Sequence, residues 1–73
     1  MHDATMATHQ WRPAGVIHTV DDAGSEVIVM ADALCSDGQE TGQVRYRLLD
    51  QTLVIRIDES TYDVDGRTLT VAP

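Results

Sequence analysis

The sequence predicts an all-β domain, a small six-stranded antiparallel β-barrel or sandwich, and three observations carry that expectation. Between Gln43 and Val71 apolar residues alternate with polar ones at a period of two, the mark of half-buried strands. Tight-turn dipeptides punctuate the alternation, most clearly Asp65-Gly66, where a two-residue hairpin needs positive φ at both positions. No stretch shows the 3.6-residue apolar period of an amphipathic helix.

Residues 1–10 (MHDATMATHQ) are small and polar and read as a tail or a weak edge strand, leaving 11–73 as a single β domain. Trp11 to Gly15 contains Pro13 and Gly15 and reads as a turn. Val16 to Val20 is rich in β-formers. Asp21-Asp22-Ala23-Gly24 follows as a type I turn with glycine placed for the left-handed position. Ser25 to Ala31 holds the continuous apolar run from Val27 to Met30, which suggests a strand covered on both faces. The result is a first hairpin over 16–31, compatible with several registers. Residues 32–42 read as the longest connection, with Asp32 as N-cap of a single helical turn ending at Cys35.

The rest reads as a four-stranded meander over 43–71. Two-residue loops at Asp50-Gln51, Asp58-Glu59 and Asp65-Gly66 set Leu48 opposite Leu53, Ile55 opposite Tyr62 and Tyr62 opposite Leu69. In that register Val44, Tyr46, Leu48, Leu53, Ile55, Ile57, Tyr62, Val64, Leu69 and Val71 share one inward face. A slip of one residue would turn a whole strand's apolar set to solvent. The 16–31 hairpin is the element with enough apolar surface to cover the face.

The same register turns Arg45, Arg47 and Arg56 outward, with Arg45 directly across from Arg56. An arginine-lined face could bind a carboxylate or phosphate on a partner bidentately. The plainer alternative is a solvated outer face whose arginines are neutralised by Asp58 and Asp63. A binding role makes Arg45→Ala or Arg56→Ala weaken association while thermal stability stays unchanged.

Composition narrows the function classes. The 73 residues carry 12 acidic and 5 basic side chains, a formal charge of -7, and all five cations are arginine. That balance opposes binding to a phosphate backbone or an anionic membrane surface. No apolar segment has the length of a membrane span or the design of a signal peptide, so a cytoplasmic location is expected. A single cysteine, Cys35, rules out an intrachain disulfide, and a chain this short needs some other support such as self-association.

Chemical motifs are weak. His2, His9 and His18 with Cys35 lack any short metal-ligand spacing, so neither a metal nor a cofactor is expected. Thr61 to Gly66 imitates a calcium loop, but Ala72 stands where the closing glutamate belongs. The paired carboxylates fall in predicted turns, where aspartate bonds its own backbone. Tyr46 and Tyr62 point inward in this register, which leaves them to the core instead of base stacking. Barrels of this size occur in regulators, phage structural parts and accessory subunits, an analogy of fold only. The expected function is a non-enzymatic protein–protein interaction or assembly module, self-association included, with edge strands as recruiting surfaces. The alternatives are an acidic regulator that occupies a partner's nucleic-acid-binding surface, and a small enzyme or subunit using Cys35 with His18.

Overall fold

The computed structural model describes residues 9–72. They form a closed barrel of six antiparallel strands in sequence order. The strands are β1 (His9–Val20), β2 (Glu26–Ser36), β3 (Gln39–Leu48), β4 (Leu53–Asp58), β5 (Thr61–Val64) and β6 (Arg67–Val71). β1 closes on β6 through Thr19 opposite Val71 and Val20 opposite Thr70. Thr19 is fully buried at this seam, and its hydroxyl donates to the Val27 carbonyl at 2.8 Å, so the buried polar group is satisfied.

The first three strands are longer than the barrel. Their excess, His9–Gly15, Asp32–Ser36 and Gln39–Val44 in round terms, continues as a three-stranded arm. The molecule therefore measures 55 × 21 × 18 Å, with a radius of gyration of 15.1 Å. A compact chain of this length would have about 11 Å. The expected helical turn at Asp32 does not form, because β2 runs unbroken to Ser36. The connection expected over 32–42 shrinks to Asp37-Gly38, whose φ values of 53° and 83° mark a two-residue hairpin turn. Trp11 to Gly15, expected as a turn, lies within β1, and Pro13 and Gly15 flank a bulge at Ala14. His9 and Gln10 of the expected tail belong to β1; residues 1–8 lie outside the described residues.

Two turns behave as the sequence implies. Asp21 Oδ1 accepts bonds from the amides of Ala23 and Ser25, both 2.9 Å, and Gly24 takes φ 82°. Asp65-Gly66 places Val64 opposite Arg67 and Tyr62 opposite Leu69.

The turn between β3 and β4 does not. It spans Leu49, Asp50 and Gln51, and it sets Tyr46 opposite Val54 and Arg47 opposite Leu53. A two-residue turn of the usual hairpin type would hold both Asp50 and Gln51 in strained conformations. The longer turn needs only Gln51 at positive φ (78°), and Asp50 Oδ1 accepts the Thr52 amide at 3.0 Å. β4 is thereby shifted by one residue, and its faces exchange. Val54 enters the core with 6% exposure, while Leu53, Ile55 and Ile57 stay 67, 64 and 59% exposed. The expectation that these three face inward is corrected by this turn. Val44 also departs from the expected inward set, because it lies on the arm and is half exposed.

The core is Val29, Val54, Tyr62, Val64 and Leu69, with Ile17, Val27, Tyr46, Leu48 and Val71 packed around it. Tyr46 and Tyr62 meet edge to face with ring centres 5.2 Å apart. Burial and the neighbouring Tyr46 push the Tyr62 phenol above its ordinary range.

The β4 register makes an asymmetric mutational prediction. Val54→Ala costs about 2 kcal/mol in denaturant unfolding, since it removes buried methyl groups. Leu53→Thr changes stability by less than about 0.5 kcal/mol. The opposite ranking would place the wrong face inward.

Candidate interaction surface

The outer face of β2 and β3 holds a buried charge. Asp32 is 2% exposed, although its strand has left the barrel. Arg47 donates to both of its oxygens, Nε to Oδ2 at 2.7 Å and Nη2 to Oδ1 at 3.3 Å. Arg45 Nε adds a bond to Oδ2 at 3.2 Å. Register explains the meeting: Asp32 lies opposite Arg45 on β3, and Arg47 is two residues along on the same face. Arg45 also lies over the Trp11 ring, 4.4 Å from its centre, a cation–π contact from β1. The Arg47 bonds, against the opposing effect of burial, and then those of Arg45 hold the Asp32 carboxyl below the usual range. Hydrogen bonding to Asp32 in turn raises Arg47.

The three arginines singled out by the sequence are thus divided. Arg45 and Arg47 stand together and are neutralised by Asp32, not by the expected Asp58 and Asp63. Arg56 lies opposite Tyr62 instead of Arg45, and its Nε donates to the Asp58 carbonyl at 3.1 Å. Arg45 and Arg47 also have a structural task, since removing either one exposes an unpaired buried carboxylate. A loss of binding with unchanged thermal stability is no longer the expected signature for Arg45.

Other sequence candidates are separated. His18 pairs with Glu26 through Nδ1 at 3.0 Å. It sits opposite Ile28, and Cys35 lies seven residues further along β2. At about 3.3 Å per residue the two are roughly 23 Å apart, beyond any direct proton transfer. Cys35 is a buried free thiol. Among the described residues no cluster of three His, Cys, Asp or Glu side chains could hold a metal ion, and His2 lies outside them. Thr61 to Gly66 is strand β5 and its tight turn, not an ion-binding loop. Among the described residues no helix is long and apolar enough to cross a membrane.

What periodicity alone did not reveal is the outer face of β4. Leu53 and Ile55 point away from the core on one row, and Ile57 extends it. Arg47 flanks the row on the β3 side, opposite Leu53, and Asp63 flanks it on the β5 side, opposite Ile55. Leu49, 68% exposed, prolongs the apolar surface past the turn. A shallow cavity of about 350 Å³ lies beside it, lined by Glu26, Val27, Ile28, Leu48, Leu49 and Asp50. Leucine and isoleucine side chains that each keep about two-thirds of their surface in water make a patch as large as monomeric proteins ordinarily carry.

The strand edges are a separate matter. Among the described residues no strand pairs with β1 from His9 to Ile17 on its outer side, with β3 from Gln39 to Arg45, or with β4 from Ile55 to Asp58 on the β3 side. Each of these edges carries an irregularity. β1 has the bulge at Ala14 beside Pro13, β3 has extra residues at 41–43, and β4 has one at Ile57. Bulges and proline on an open edge hinder the addition of another strand.

No family model, curated protein or solved structure matches the chain. The class it defines rests on its own geometry: a six-stranded barrel with a projecting arm and an apolar outer strand.

The Asp32 cluster has a pH signature. A carboxyl held below its ordinary value when folded stabilises the protein above the unfolded pKa near 3.9, and the effect fades as pH falls through the folded value. Asp32→Asn therefore lowers Tm at pH 7 by roughly 4–8 °C, the shift that about 1 kcal/mol produces in a domain of this size. The gap between the variant and the parent narrows from about pH 4 downward. Asp50 and Asp58, also held low by turn hydrogen bonds, titrate with the same sign in both proteins. A gap that stays constant to pH 2 would contradict the assignment.

Proposed function

We propose that this chain is a non-enzymatic protein–protein interaction or assembly module whose contact surface is the outer face of β4. The observation that carries the reading is the exposure of Leu53, Ile55 and Ile57 on a strand whose inner face is already packed. A strand buried on one face ordinarily shows polar residues on the other. Here both faces are apolar, as in strands that are covered twice. Burial of such side chains against a partner contributes about 1.5–3 kcal/mol each when complete.

The face is a better contact than the edges, because each open edge is bulged. The reading as an acidic mimic needs carboxylates spaced along one side like phosphates. Turn topology instead gathers Asp21, Asp22, Asp50 and Asp65 at one end of the barrel and Asp58 and Glu59 at the other, with Glu40 on the arm. Among the described residues no basic footprint favours direct nucleic-acid contact. A cytoplasmic protein partner, or a second copy, suits the surface.

Site-specific photo-crosslinking in cells tests this. A benzophenone side chain at position 55 yields one discrete adduct, which disappears on Leu53→Asp. The same probe at Ala23, in an exposed turn on the far end, yields none. Equal adduct patterns from both positions would remove the β4 face as a contact surface.

A further inference from the structure

Resting on the reading above, we propose that the occupant of the β4 face is a second copy of this chain, paired face to face about a two-fold axis that runs along β4. The charges beside the row are what select this partner. On the β3 flank two guanidiniums share one carboxylate, leaving one positive charge in surplus. On the β5 flank Asp63 has no ion pair among the described residues. The surplus charges therefore have opposite sign on the two sides of one apolar strand.

That asymmetry is self-complementary in one orientation. Turning a second copy over about an axis along β4 sets its Arg45–Arg47 flank above the Asp63 flank of the first, and the reverse on the other side. Turning it about an axis across the strand sets like charge over like charge. Arg47 and Asp63 stand on the strands next to β4, about 4.8 Å to either side, and packed sheets lie about 10 Å apart, within the combined reach of an arginine and an aspartate. The apolar row supplies the contact, and the rim pairs fix its orientation. The interface is isologous, so it closes at two copies. The arms rise from β1, β2 and β3, away from the contacting strand, and stay free on both copies.

Size argues the same way. Five side chains make the barrel's buried core, with no disulfide, in a chain of 73 residues. Small domains of that kind commonly gain stability by oligomerising. The opposing force is the charge of -7 on each copy. It is screened at about 0.15 M salt, where the Debye length is about 8 Å.

Sedimentation equilibrium of the full chain at about 0.15 M salt tests the pairing. The expected mass is twice the 8.0 kDa protomer at protein concentrations around 100 μM, with a dissociation constant in the micromolar range or tighter. Ile55→Asp weakens association at least about a hundredfold and Asp63→Lys about tenfold, since each sets a desolvated or like charge in the contact. Far-ultraviolet circular dichroism confirms that both variants remain folded. A monomer at every concentration overturns the proposal, as does a dimer indifferent to both substitutions. If the chain is monomeric while the probe at position 55 still captures one other protein, self-pairing fails and the interaction reading stands.

Discussion

The structure depends on where the chain turns between β3 and β4. With Leu49, Asp50 and Gln51 in that turn, Val54 is the residue of β4 that meets Tyr46 and Tyr62, and Leu53 and Ile55 are left outside. A turn shorter by one residue would have filled the barrel with larger side chains and left a single valine facing water. The turn wins on backbone grounds. It confines positive φ to one residue and satisfies the Thr52 amide with the Asp50 carboxylate. The composition of the outer surface follows from that local choice, and so does the interaction role argued from it.

The arm obeys a second constraint. Three strands that extend past the barrel have no core to cover, so hydrophobic burial does not hold them. Asp32 takes that place with Arg45, Arg47 and Trp11 at the base of the arm, bonding residues of β2 and β3 and stacking one of them on β1. A charged group that is nearly inaccessible is costly unless every oxygen finds a donor, and here both do. The cluster therefore ties the arm to a fixed register without needing an apolar interior. The bulges on β1 and β3 have the complementary effect of making the arm's open edges poor templates.

Much of this was legible in the sequence. The strand class, the Asp21–Gly24 turn, the Asp65-Gly66 hairpin and the inward placement of Tyr46, Leu48, Tyr62, Val64, Leu69 and Val71 follow from period and turn chemistry. Asp37-Gly38 carries the same signal as Asp65-Gly66, but its flanks do not alternate, because the arm strands have no buried face to demand it. Arginine residues at 45 and 47 were legible as a pair, whereas their partner was not. Asp32 comes from a strand whose polar residues look like a loop until β2 is known to continue. The β4 register was the hardest element, since Leu53, Val54, Ile55 and Ile57 are all apolar and either parity gives a plausible core. Turn geometry decides it, and the relative strain of two non-glycine turns is not written in hydrophobic period.

One measurement bears on this most directly. A nuclear Overhauser spectrum of the isotopically labelled chain reports which β4 methyl groups approach the tyrosine rings. The account predicts strong contacts from the Val54 methyls to the rings of Tyr46 and Tyr62, and none from Ile55. Contacts from Ile55 with Val54 silent would mean that β4 faces the other way, and the surface argued from it would not exist.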